Sequence, residues 1–297
     1  MDVRQLEYFL AVVDHGGVNR AAAALYLSQP SLSQSIRSLE RDLGSDLFHR
    51  IGRRVVLTEA GRALIAPARE AVRGLDLARS AVEAVRGLRR GRVDVATLPT
   101  QAIEPLTGMV AGFTERHPEV SVSIRNALTR RDAVQMVRTG ACELGVVASD
   151  RPLSDREVRV HPLADQAFVL LAPRGGPFPP GRPVPVEALN GHRLIVGHEG
   201  SGMRRFVDRL SADGLDARIA VETEHRVSIL PLVLGGAGLA VVTDAWRELA
   251  DAAGVLTLEL EPTGHLHVSL ISRRAPLTPA ARAFVDHAVG EAGQVGP

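Results

Sequence analysis

Apolar residues at Leu6, Phe9, Leu10 and Val13 recur at helical spacing, which predicts a first helix capped by Asp2 and closed at Gly16-Gly17. Asn19 can cap a short second helix over residues 20–25, where Ala21, Ala22 and Ala23 let neighbouring helices approach closely. A third helix opens on Ser28-Gln29-Pro30-Ser31, with proline suited to the first helical position because its missing N–H costs nothing there. Two short helices joined by about four residues form a helix-turn-helix unit.

The third helix has two unlike faces. At about 100° per residue, Leu32, Ile36, Leu39 and Leu43 form one narrow seam. Opposite it stand Pro30, Gln34, Arg37 and Arg41, with Ser33 and Ser38 on the flanks and Glu40 to one side. An ordinary solvated face favours Glu and Lys, yet no acid lies opposite this seam. Glutamine pairs with adenine edges, arginine with guanine and serine with either, so the short polar face suits a DNA major groove. The following LFHRIGRRVVLT reads as two short strands around Gly52, a wing with Arg53 and Arg54 near its tip and Arg50 on its stem. Arginine there suits phosphates or a narrow minor groove.

Thr58 can cap a long helix reaching residue 89 or so. Its apolar positions Leu64, Ala68, Ala71, Leu75, Ala78, Val82 and Val85 alternate in steps of four and three, a heptad stripe that a second copy of the chain would cover. Pro67 should kink this helix or separate its first turns. Paired recognition helices imply an inverted-repeat target.

At LRRGRVDVA the helical period gives way to alternation. Strands at VDVAT, VSVSI and ELGVVA alternate with helices over 101–117 and 131–139. A second set follows: strand 167–173, a Pro/Gly-rich loop over 174–185, strand RLIVG, helix 203–212, strand RIAVET, a helix from Val227 and strand GLAVVT. HVSLISR and a helix near 279–289 close the chain. This is an α/β pattern with a mostly parallel sheet in two successive halves, and a cleft at strand ends is where small ligands bind. Thr100 and Gln101 follow the first strand, Thr129 the second, and Ala148 ends the third. Gly200-Ser201-Gly202 precedes a helix, where free N–H groups favour an anion. Arg226, next to Val227, can pair with a carboxylate. Singly these are capping or loop residues; their recurrence at corresponding strand ends makes them a candidate effector site.

Composition sharpens the picture only in places. All 35 basic residues are arginine. Residues 1–90 carry a net +4 and residues 91–297 a net −3, a basic front end on an acidic body. The single cysteine, Cys142, excludes a disulfide framework, a cysteine metal cluster and a two-cysteine switch within the chain. MDVRQLEYF lacks a basic segment followed by an apolar run, and no apolar stretch reaches the roughly 18 residues a membrane span needs. The expectation is a cytoplasmic protein with no membrane partner, no metal and no cofactor.

The segment NRAAAALYLSQPSLSQSIRSLERDLGSDLFHRIGRRVVLTEAGRAL closely resembles the LysR-type transcriptional regulators. FTERHPEVSV, ELGVVA, LPLVLGGAGLAVVT and TPAARAFVDHAV resemble the regulatory body of the same family. The resemblance implies a winged helix-turn-helix over 1–58, a linker and dimerisation helix over 59–90, and an effector domain over 91–297. That domain is periplasmic-binding-protein-like, with two Rossmann-like subdomains joined by two crossovers: subdomain I over about 91–162 and 267–297, subdomain II over about 163–266. DNA contacts would fall on Gln29, Pro30, Ser31, Ser33, Gln34 and Arg37 with Arg50, Arg53 and Arg54 of the wing, and the inducer near Thr100, Thr129, Ser201 and Arg226. It also implies a homodimer or homotetramer that bends double-stranded DNA, with RNA polymerase as a further contact. Members often carry Arg just after the position of Ser33, where this chain has Gln34, so a different operator base is the expectation there. Cys142 does not sit in the pattern of the family's peroxide sensors.

No catalytic constellation competes with this reading. HEGSG lacks the spacing of a nucleophile elbow, no HExxH occurs, and no lysine exists for a phosphate-binding loop. A solute-binding protein would share the body but has no DNA-binding head. The expected function is a sequence-specific transcriptional regulator, not an enzyme, governed by a small carboxylate or other anion.

Overall fold

The computed structural model describes residues 1–51, 54–84 and 91–292. Helix α1 (Val3–Asp14) is held at its start by a reciprocal cap between Asp2 and Gln5. Helix α2 (Val18–Ala24) and helix α3 (Gln29–Leu43) follow, and Ser28 caps α3 while Gly44 closes it in the left-handed conformation. Leu32, Ile36 and Leu39 are buried against Leu6, Phe9, Leu10 and Ala21, as the narrow seam predicts, but its fourth residue, Leu43, is exposed at the end of the helix. Strands β1 (Phe48–Ile51) and β2 (Arg54–Leu57) pair antiparallel as the wing. Glu40 fixes the wing to α3, because one carboxylate oxygen accepts the amides of Leu47 at 2.9 Å and Phe48 at 3.3 Å.

Helix α4 (Glu59–Ala84) continues through Pro67 without the expected break. The head also claims part of its stripe. Ala68 is buried in the head's core and Leu64, Ile65 and Val72 pack against that core. Leu64 and Ala68 are therefore corrected from the self-pairing seam to the intramolecular packing of α4 on α1. The stripe beyond them is open: Ala71 and Ala78 are exposed, Leu75 is half-buried and Val82 is 68% exposed. Val85 lies outside the described residues.

The body begins with β3 (Gly91–Thr97), α5 (Leu106–Arg116), β4 (Val120–Asn126), α6 (Arg130–Arg138) and β5 (Leu144–Ser149). Helix α5 starts five residues later than its apolar pattern suggests, since Pro105 disfavours helix in the residue before it. A long strand, β6 (Val158–Pro173), leads into the second half: β7 (Val184–Pro185), β8 (Arg193–Gly197), α7 (Gly202–Ala212) and β9 (Arg218–Thr223). Then come α8 (Ile229–Leu234), β10 (Leu239–Thr243), α9 (Arg247–Ala252), β11 (Val255–Glu261), β12 (His265–Arg273) and α10 (Pro279–Ala292).

Strand order runs β4–β3–β5–β12–β6–β10–β8–β9, with β11 beside β6 and β7. Each half keeps parallel pairs, β3 with β4 and β5 in one and β8 with β9 and β10 in the other. The join is antiparallel. Residues 158–167 of β6 pair with β12, and residues 168–173 pair with β10 and β11. The sheet is therefore mixed rather than mostly parallel, and the chain crosses between the halves twice, once within β6 and once between β11 and β12. The sequence pattern missed the first part of β6 because VRVHPLADQ contains Pro162 and polar residues. The ladder accommodates that proline at a register shift opposite Val268 and Ser269.

Replacing Glu40 by Ala leaves the buried Leu47 amide without its acceptor. The expected loss is about 1–3 kcal/mol in the head's unfolding transition, read by urea titration, and an unchanged midpoint would show that the wing does not depend on this carboxylate.

Candidate functional site

Two sets of candidate residues come together, one in the head and one in the body. On α3 the side chains of Gln29, Pro30, Ser31, Gln34 and Arg37 are exposed on one continuous surface. Neither Gln34 nor Arg37 is paired with an acid among the described residues, so both present free donors. Ser33 departs from the expected set. It is 7% exposed, and Gln29 donates its Nε2 to the Ser33 hydroxyl at 2.7 Å. Ser33 thus holds Gln29 from below instead of reaching a base edge, because its position on the flank rotates towards the seam. Arg53 lies outside the described residues, and so do the side chains of Arg50 and Arg54.

In the body, strand ends from both halves enclose a cavity of about 50 Å³. Thr100, Gln101, Thr129 and Ala148 line it from the first half, and Gly200, Ser201, Gly202 and Arg226 from the second. Val227 is corrected: it stands 85% exposed on the short turn after Arg226, outside the lining. The hydroxyl of Thr129 is already engaged, since it forms a reciprocal cap with Asp132 at the start of α6. The Thr100 hydroxyl faces the Met203 sulfur at 3.9 Å, and Gln101 meets Gln166 at 3.5 Å.

Arg226 is the unusual group. Its side chain is buried, and its Nε and Nη1 have no hydrogen-bond partner among the described residues. No carboxylate among the described residues pairs with it, and burial pulls its pKa below the ordinary arginine value. A buried cation without a counter-charge is costly in the free chain. Gly197 makes room for it, because any side chain there would run into Arg226 Nη1 and Ser201 Oγ. Ser201 caps α7 by accepting the Arg204 amide at 3.2 Å, which brings the helix N-terminus to the same cavity. His198 adds a second unpartnered polar atom, its buried Nδ1.

The sequence reading missed His198, Arg130 and Arg205, which also line the cavity. His198 was legible as the residue directly after the RLIVG strand. Arg205 was not, since it reads as an ordinary exposed helix residue. It reaches across the cleft to Asp150 at 3.1 Å, and Arg209 reaches the same carboxylate at 3.3 Å. The cleft mouth is thus bridged by charge, while its floor holds an unpaired one.

Cys142 lies apart from both sites. It is 1% exposed and packs with Ala96, Ala127 and Val147, and burial pushes its thiol up to about 12.

Residues 3–62 match the family model for the bacterial regulatory helix-turn-helix protein, lysR family, and residues 86–293 match the LysR substrate binding domain. A RuBisCO operon transcriptional regulator from Allochromatium vinosum is 30% identical over 300 residues, covering 99% of this chain and 98% of that protein. The structure of full-length CbnR in complex with its target DNA is 25% identical with a TM-score of 0.68, covering 98% of this chain and 100% of that one. A full-length OxyR variant from Pseudomonas aeruginosa shares the fold, with a TM-score of 0.73 at 21% identity over 98% of this chain and 94% of that one.

With its thiol held protonated at any ordinary pH, Cys142 should resist a thiol reagent in the native protein at pH 8 and react fully once unfolded. Rapid native labelling would mean that the thiol is reachable after all.

Proposed function

Since the chain belongs to the LysR family of bacterial transcriptional regulators, we propose that its head reads an inverted DNA repeat through α3 and that the ligand controlling it is a small anion held by Arg226. The family assigns the class: a DNA-binding regulator with an effector-binding domain, not an enzyme. Among the described residues no helix is long and apolar enough to cross a membrane. The proposal adds a cytoplasmic site of action, and RNA polymerase as a further contact.

For DNA, the reading rests on the exposed face of Gln29, Pro30, Ser31, Gln34 and Arg37. Arg37 is the strongest candidate for base discrimination, since a guanidinium can meet a guanine edge with two bonds. The wing arginines Arg50, Arg53 and Arg54 would supply phosphate or minor-groove contacts. The stripe of α4 at Ala71, Leu75, Ala78 and Val82 is the surface on which a second copy would pair. A homodimer built there can assemble further into a homotetramer that bends its DNA.

For the effector, one observation carries the reading: Arg226 is buried in the cleft with two nitrogens unused. A carboxylate or phosphate group would supply the missing charge, with Ser201 and the N-terminus of α7 as further donors. The cavity as it stands holds one such group and little more, so a larger effector needs the halves to part. Control then follows from linkage: a ligand that prefers one arrangement of the halves shifts their equilibrium and with it the geometry of the DNA heads.

Footprinting of the DNA upstream of the protein's own gene should show a discrete protected inverted repeat, and Arg37→Ala should cost about 1–3 kcal/mol there while sparing nonspecific binding. Equal loss on specific and nonspecific DNA would remove the base-reading role. For the cleft, thermal shifts with small mono- and dicarboxylates and inorganic phosphate are the measurement. At least one should stabilise the wild type, and Arg226→Gln should weaken that response tenfold or more. Undiminished stabilisation of the variant would sink the anion reading.

A further inference from the structure

The linker helix is gripped by its own regulatory half. Glu70 on α4 accepts Arg273 Nη2 with both carboxylate oxygens, at 2.8 and 2.9 Å. Arg273 ends β12 and is 6% exposed, and its Nη1 has no partner among the described residues. Arg73, one turn further along α4, also meets Glu70 at 3.3 Å and donates to the carbonyl of Gly140 after α6. Gly140 has a φ of +71°, and any side chain there would strike the Arg73 guanidinium. A second grip lies beside the first. Arg69 pairs with Asp14 at the end of α1 at 2.5 Å, and Arg125 on β4 stands 4.0 Å from the same carboxylate. Burial opposes the charge on Glu70, but the Arg273 and Arg73 guanidiniums together outweigh it and keep the carboxyl below its ordinary value.

The position of Arg273 matters more than the pair itself. Strand β12 starts at the effector cleft, where Leu266 lines the cavity and packs against Gly202 at the N-terminus of α7. It then runs between β5 and β6 to Arg273. Seven residues of strand, roughly 23 Å, therefore separate the cavity wall from the side chain that holds the linker helix. A hydrogen-bonded strand between two others is stiff along its length, so a shift at one end is felt at the other.

We propose that Glu70 and Arg273 are positioning residues that set the placement of the DNA-binding head and tie it, through β12, to the effector cleft. The tie to an effector rests on the cleft reading above; the placement of the head does not. Arg273 at a strand end is geometrically fixed, whereas Glu70 sits on a helix that also carries the head's core residues Ala68 and Val72. Breaking the pair frees the head to take other angles without touching α3.

The test uses the full-length protein with three variants: Glu70→Gln, Arg273→Gln, and the charge swap Glu70→Arg with Arg273→Glu. Hydrogen–deuterium exchange of the free protein is read first, over residues 66–74 and 136–142. Either single variant should raise exchange there fivefold or more, and the swap should bring it back towards wild type. Binding is then measured on a single half-site and on the full protected region upstream of the gene. Glu70→Gln should leave half-site affinity within twofold and change full-site affinity at least fivefold or move the protected edges. A misfolded head would instead weaken both DNAs together. Unchanged exchange in Glu70→Gln would overturn the clamp, and changed exchange with an unchanged full-site footprint would overturn its positioning role. Leu266→Ala reads the other end of β12: it should alter exchange at 66–74, and no change there would remove the tie to the cleft. Loss of the anion response in Arg226→Gln does not enter these readouts, so failure of the cleft reading is seen separately.

Discussion

Two antiparallel strands hold the regulatory body together, and most of its other features depend on them. Strand β6 passes from the first half to the second within one unbroken run of residues, and β12 returns beside it. Because the chain crosses twice, the halves stay joined, yet each keeps its own parallel strands and helices. The cleft exists for this reason: strand ends from both halves face each other across the joint, and their loops have nowhere else to go.

Charge is distributed unequally around that joint. At the mouth, Asp150 neutralises Arg205 and Arg209, pairs exposed enough to be screened by solvent and of modest worth. At the far end of β12, Arg273 meets a carboxylate with both of its oxygens. On the floor, Arg226 meets none among the described residues. The chain thus supplies a carboxylate for buried Arg273 but none for Arg226 among the described residues. The neighbouring His198 Nδ1 is unpartnered and the start of α7 opens at the same place.

The head follows a different logic. Its core is small, and it borrows the first turns of α4 to complete it, so the linker is part of the DNA-binding unit before it is anything else. The stripe of α4 therefore divides: its start belongs to the head, and its later residues stay open to a second chain. Glu40, the acid to one side of the polar face of α3, is not surface decoration either, since it anchors the wing. Its carboxylate is committed to backbone amides, and neither Gln34 nor Arg37 pairs with it among the described residues.

The sequence by itself determined the helix-turn-helix, the seam of α3 and the opposing polar face, because helical periodicity and capping are local and each residue's role follows from its neighbours along the chain. It also identified the strand ends that form the cleft, since alternation and Gly-Ser-Gly punctuation are local too. It did not determine which side of the heptad stripe the head would claim: Leu64 and Ala68 look the same in a dimer seam as in an intramolecular core. Nor could it show that Ser33 turns inward, that the polar first part of β6 is a strand, or that Val227 points away from the cavity beside Arg226. Those depend on what packs against each residue from far along the chain. The isolation of Arg226 and the pairing of Glu70 with Arg273, 203 residues away, belong to the same class. Whether a buried charge is paired is set by the distance between side chains in space, and the sequence carries no direct record of that distance.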